Sequence, residues 1–177
     1  AAGLPARNPA EQAIIDADQR PDRVALESDA FAHLIKDSWP QSRWGPVVAH
    51  LAAAKVAAAR GDVAACGAAL DALIEEASAP RVAPEVFFDA LEYRVRFDVG
   101  LGRRAEARAV LDRLESLVPK LQAPLYAART CLARGDFMVA LDPVMANEEY
   151  REAERLFSGH GYPDWAEHAL RRQGRIR

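Results

Sequence analysis

Four histidines and two cysteines are the side chains best suited to metal binding or nucleophilic chemistry: His33, His50, His160, His168, Cys66 and Cys131. His160 and His168 flank the last predicted turn, with Asp164 between them. A metal site needs three or four ligands whose side chains converge. Three residues near one turn are weak evidence that their side chains meet, so we predict no metal site. Cys131 with His160 would supply a nucleophile and a base, but open helical walls seldom enclose the dry pocket that such a dyad needs.

The motifs of the common catalytic and cofactor sites are missing. The sequence has no phosphate-binding P-loop, no dinucleotide-binding GxGxxG after a strand and no GxSxG elbow. It also lacks HExxH and paired CxxC zinc motifs. We therefore predict a protein that is not an enzyme and binds no cofactor.

Composition and charge further limit the class of protein. The chain has 177 residues, half of them apolar, with a net charge of -3, which fits one domain or a short repeat array and argues against direct nucleic-acid binding. Helix-forming Ala, Leu, Arg and Glu dominate, and no apolar run approaches the ~20 residues of a membrane span. We expect a cytoplasmic protein with reduced thiols. The first residue is Ala rather than Met, so we expect a piece of a longer protein.

Residues 1–46 are predicted to form an N-terminal extension and helical cap. Helices are expected at 9–19 and 22–36, where apolar residues recur at helical spacing. Two prolines and a glycine then interrupt the chain before residue 47. Trp39 and Trp44 lie in this interruption and are expected to pack the cap against the rest.

From Val47 onward the pattern predicts helices joined by short breaks. Asp62 is expected to cap the second of these helices, Pro119 to stop the fourth, and Gly135 to break the fifth. An irregular stretch containing Pro143 should follow, with Asn147 capping the next helix. The predicted helices are 47–60, 63–77, 84–99, 104–118, 123–134, 147–158 and 163–172.

A unit of two helices recurs through this region. Copies begin at Val47, Phe87 and, more loosely, Ala123. Self-similar helical units of this size are typical of an α-solenoid. The predicted fold is therefore all-α, with a repeat array over residues 47–177.

The repeats carry a positional pattern: a turn glycine, a small residue five positions later, and leucines after nine and twelve positions. The residues are Gly61, Cys66, Leu70 and Leu73 in one unit, and Gly102, Ala107, Leu111, Leu114 and then Pro119 in the next. Gly135 follows 33 residues after Gly102. Over residues 47–174 the pattern resembles the tetratricopeptide repeat (TPR) family, which implies antiparallel helix pairs in a right-handed superhelix. Arg94 and Asp98 depart from it, because they occupy positions where apolar core residues are expected.

The last third of the chain resembles a more specific group. The segments "LYAARTCLARGD" and "YREAERLFSGHGYPDWAEHALRRQGR" are similar to the repeat arms of bacterial signal-transduction ATPases and transcriptional activators. In those proteins the arm senses an inducer or a partner, while ATP hydrolysis and DNA binding belong to other domains.

The resemblance also implies a binding groove. Counted from the turn glycines, the ninth position of each first helix is Lys55, Arg96 or Arg129, and in the family this position faces the concave side. Three cations there would form a positive ladder suited to an acidic segment or a carboxylate.

The sequence thus favours a non-enzymatic TPR-like scaffold, part of a bacterial signalling or transcription regulator. We expect a protein or peptide partner, with an acidic segment favoured by the ladder, no direct nucleic-acid or membrane contact, and room for self-association. The alternative is a regulatory arm that senses a small molecule and binds an inducer in the concave face.

Overall fold

Seven helices make up residues 45–174, the part of the chain that the structure, a computed structural model, describes. They are α1 (Gly45–Ala59), α2 (Val63–Ala77), α3 (Pro84–Gly100), α4 (Arg104–Leu121), α5 (Pro124–Met138), α6 (Pro143–Gly159) and α7 (Pro163–Gly174). No strand occurs between residues 45 and 174, which confirms the all-α prediction for that range. The expected helices 9–19 and 22–36, with Trp39 and Trp44, lie outside it.

Three connections between helices are built in the same way. Gly61, Gly102 and Gly161 all have a positive φ, between 69° and 78°. In each turn the residue after the glycine donates its N–H to a carbonyl five residues back, as Asp62 does to Ala57 at 2.9 Å. The glycine itself donates to a carbonyl three residues back. These are Schellman motifs, in which a left-handed residue ends one helix and satisfies its last carbonyls.

The residue after each of these glycines immediately precedes the next helix. Its carbonyl accepts the first helical hydrogen bond, from Cys66, Ala107 or Ala166. All three donors are small, lie five positions after the glycine and are buried. As predicted, the Asp62 side chain caps α2 by accepting from the Ala65 N–H at 2.9 Å.

The prediction that Pro119 stops the fourth helix is wrong. Helix α4 includes Pro119 and ends at Leu121, where Gln122 adopts a left-handed conformation with φ 51°. A proline in a helix removes the bond to the carbonyl four residues earlier. The loss falls in the last turn of α4, so the helix continues for only two more residues.

The prediction that Gly135 breaks the fifth helix is also wrong. Helix α5 passes through Gly135 to Met138, and this glycine is a packing residue: a Cβ built on it would overlap the ring of Tyr150 in α6. Helix α6 begins at Pro143, not at Asn147, because the Asp142 side chain accepts from the N–H groups of Val144 and Met145 and proline is favoured at a first helical position.

The chain divides into two compact units, one ending at residue 83 and one beginning at residue 84. In the first, α1 packs against α2. In the second, α3 packs on α4, α6 packs on both α5 and α7, and α5 also contacts α3 and α4. The apolar core of α5, α6 and α7 includes Tyr150 and Phe157, which are almost completely buried. None of the helices in residues 45–174 has the length and apolar character that crossing a membrane requires.

Two charged residues lie where the repeat pattern expects an apolar core. Arg94 donates to Asp98 at 2.7 Å, and the Asp98 side chain is completely buried. The ion pair compensates part of the cost of burying the carboxylate. Both side chains are therefore largely shielded from solvent, as the repeat pattern expects, but they interact through an ion pair instead of through apolar contacts.

Candidate functional site

Arg129, in the middle of α5, is the centre of a charged cluster in the second unit. Its side chain is only 12% exposed. Nη2 donates to Asp89 Oδ1 at 2.7 Å and also to Glu92 Oε2, both on α3. Burial alone would lower the pKa of Arg129, but the neighbouring Glu92 and Asp89 charges raise it overall. The guanidinium is thus held as a cation between two carboxylates.

Three aromatic rings surround the same guanidinium. The Arg129 Cζ lies 5.0 Å from the ring centroid of Phe88, 5.7 Å from Tyr126 and 5.4 Å from Trp165. These distances are within the ~6 Å range of cation–π attraction. Because the rings come from α3, α5 and α7, Arg129 connects three helices.

Arg96 binds the same carboxylate as Arg129. Its Nη2 donates to Glu92 Oε1 at 2.8 Å, and Glu92 is 2% exposed. The structure therefore brings together two of the three residues of the predicted ladder, but with a shared anion between them. Lys55 lies half-buried on α1 in the first unit. The local field at Arg96 and Arg129 is consequently that of a charge-balanced network, not of a row of uncompensated cations.

A second ion pair continues the network towards the end of α5. Arg172 of α7 and the hydroxyl of Tyr150 both donate to Asp136 Oδ1, the latter at 2.7 Å. Arg172 Nε also lies 3.4 Å from His168 Nε2. Burial, followed by the charge of Arg172, lowers the pKa of His168 and so favours the neutral imidazole, which stacks on Trp165.

Together these residues define one surface, which we call the ionic–aromatic face. On α3 and α7 they recur at intervals of three or four residues, and on α5 at intervals of three and seven; these spacings keep side chains on one side of a helix. The face consists of Glu85, Asp89, Glu92 and Arg96 on α3, Tyr126, Arg129 and Asp136 on α5, and Trp165, His168 and Arg172 on α7.

Within residues 45–174, the candidate chemical residues lie in different environments. His160 is exposed at the C-terminal end of α6, whereas His168 belongs to the face on α7. Cys131 is buried, and its Sγ accepts from Arg134 at 3.3 Å. Within residues 45–174, no three His, Cys, Asp or Glu side chains are placed to hold a metal ion.

Sequence reasoning found Arg96 and Arg129 but missed the residues that neutralise them. Glu92 precedes Arg96 by four positions, a helical ion-pair spacing that the sequence does display. The contacts of Arg129 with Asp89 and Trp165 join residues about forty positions apart, and no local pattern reports them. Comparison of the chain with protein-family models, with curated proteins and with solved structures gives no match.

Proposed function

We propose that the chain is a non-enzymatic, TPR-like interaction module, an α-solenoid of antiparallel helix pairs whose partner binds the ionic–aromatic face. The three Schellman turns and the small residue five positions after each turn glycine support this assignment, because such turns and close crossings are what a repeat array uses. Within the proposal, the module serves a bacterial signalling or transcription regulator in the cytoplasm.

One observation carries the proposal: α3, α5 and α7 present charged and aromatic side chains on a single face. Tyr126 and Trp165 are partly exposed there, and so are Arg96 and Arg172. Trp, Tyr and Arg are the residue types that dominate binding energy at protein interfaces. A surface that combines them across three helices is suited to an extended peptide segment.

The test is a titration of ¹⁵N-labelled protein with peptides of different charge and with a panel of small metabolites. We expect a peptide to shift amide resonances of α3, α5 and α7. Trp165→Ala should weaken binding about tenfold or more, as expected for a central aromatic residue. Val144→Ala is the matched control, because Val144 is an apolar side chain that is 70% exposed and lies outside the face.

Circular dichroism of each variant verifies that the helices remain. Shifts caused only by metabolites, or peptide shifts that avoid the three helices, would contradict the proposal.

A groove elsewhere in the second unit favours the small-molecule alternative. It has a volume of about 440 Å³ and lies among α4, α5 and α6, with Cys131 and Arg134 in its wall. This volume is within the ~300–1,000 Å³ of small-ligand sites. Metabolite-induced shifts of α4 and α6, without shifts of α3 and α7, would identify this groove as the sensing site.

A further inference from the structure

The two ends of the ionic–aromatic face differ in how far their charges are compensated. Every arginine of the face is ion-paired within it, to Glu92, Asp89 or Asp136. At the N-terminal end of α3, Glu85 is exposed and has no ion-pair partner in the described part of the chain. The Asp89 side chain is 47% exposed although it contacts Arg129. The charge that the face leaves open to a partner is therefore negative.

Aromatic rings stand beside these carboxylates. Tyr126, Tyr162 and Trp165 are partly exposed near this end. Burial, and then the charges of Asp89 and Glu85, raise the pKa of Tyr126, which places both carboxylates within electrostatic range of its hydroxyl. Carboxylates next to ring faces attract ammonium and guanidinium groups through charge and through cation–π contacts.

Arg129 provides an internal example of such binding. Its guanidinium contacts Asp89 and Glu92 and is surrounded by three rings. The Asp89 carboxylate is partly exposed, and so are the rings of Tyr126 and Tyr162, whereas the Trp165 ring already stacks with Phe157 and His168. A second cation approaching from solvent would meet the same types of group.

We propose that the end of the face formed by Glu85, Asp89, Tyr126 and Trp165, together with the neighbouring Tyr162, binds a lysine or arginine side chain from a basic segment of a partner protein. This inference rests on the proposed function, since it takes the ionic–aromatic face as the partner surface. It replaces the acidic partner expected from the sequence. An acidic segment would have to compete with Glu92 for Arg96 and Arg129.

The experiment uses three peptides of equal length that carry four lysines or arginines, four glutamates, or no charge, and measures binding by fluorescence anisotropy. We expect the basic peptide to bind about tenfold more tightly than the neutral one at low salt, and to lose this advantage as salt screens the charges. The double variant Glu85→Gln/Asp89→Asn should lose most of it.

Helix α4 supplies the matched control, Glu106→Gln/Asp112→Asn. Glu106 lies in the first turn of α4 as Glu85 does in α3, and both control residues are exposed. The control changes the net charge by the same amount, so it separates site binding from general attraction to an acidic protein. Equal affinities of the two double variants for the basic peptide would overturn the inference.

The remaining outcomes distinguish this inference from the proposed function. Tighter binding of the acidic peptide to the three-helix face would overturn the basic-partner inference and leave the interaction module standing. If no peptide shifts the resonances of α3, α5 and α7, both proposals fail.

Discussion

Replacing Arg129 by methionine should destabilise the fold strongly, because it leaves a buried carboxylate with one partner fewer. Glu92 is 2% exposed and would keep only Arg96, which is itself 33% exposed. Removing one partner of a buried ion pair costs ~3–5 kcal/mol. Since Arg96 remains, we expect the lower end, about 3 kcal/mol. The contact with half-exposed Asp89 adds little, because exposed pairs contribute ~0–1 kcal/mol.

The control is Arg171→Met. Arg171 and its partner Glu167 are 66% and 65% exposed, so losing this pair should cost no more than about 0.5 kcal/mol. Urea denaturation followed by circular dichroism gives both free energies of unfolding. A third protein, Arg129→Met/Glu92→Gln, should be more stable than Arg129→Met alone, because it no longer buries an undercompensated charge.

Two results would refute the reasoning. One is an Arg129→Met variant as stable as Arg171→Met, which would mean that the cluster is solvated. The other is a double variant no more stable than Arg129→Met, which would mean that the loss of stability does not come from the undercompensated charge of Glu92.

Three further predictions concern packing, titration and thiol access. Gly135→Ala should destabilise by about 1–3 kcal/mol through overlap with the Tyr150 ring, whereas Gly159→Ala, where a Cβ meets open space, should be neutral or stabilising in the same urea titration. Because the pKa of His168 is lowered from 6.5 in the folded protein, the unfolded chain binds the proton first as pH falls, so the free energy of unfolding should drop below about pH 6.5. His168→Gln should flatten that pH dependence, and an unchanged slope would contradict it. The Cys131 thiol, which is 4% exposed and has its pKa raised by burial, should react with a bulky maleimide only after denaturant is added; rapid native labelling would contradict its burial.

The sequence predicted best those helices whose ends are marked by chain geometry. Helix α2 matches its predicted bounds of 63–77, because Gly61 supplies the left-handed residue and Asp62 the cap. Helix α7 was expected from Pro163 and begins there. In both helices, the residues that mark the boundary are adjacent to it in the sequence and have a single structural role there.

The errors arose where a residue type has more than one physical use. Gly135 was interpreted as a turn residue, but its lack of a side chain accommodates a ring from another helix. Pro143 was interpreted as a breaker, although at a first helical position its missing N–H costs nothing. The true third Schellman glycine is Gly161. For Gly135 only the neighbouring helix α6 distinguishes the two uses, whereas the helix start at Pro143 is marked locally by the Asp142 cap.

The candidate site was predicted only in part, because contacts between helices that are distant in the chain are not visible in local sequence. Arg96 and Arg129 were selected by their position in the repeat, and both lie on the face. Their anionic partner Glu92 and the ring of Trp165 depend on how α3, α5 and α7 come together, which the repeat pattern alone does not specify.

The network around Arg129 has a consequence for how the second unit unfolds. Most packing there joins helices that follow one another in the chain, an arrangement in which segments can open one at a time. Arg129 instead joins α5 to α3 and to α7, so it couples segments that sequence order would leave independent. We therefore expect the cooperativity of unfolding in this unit to depend on this polar cluster as well as on apolar packing. At high salt, or in a variant without the guanidinium, we expect a broader unfolding transition. The free energy of unfolding should then depend less steeply on denaturant concentration.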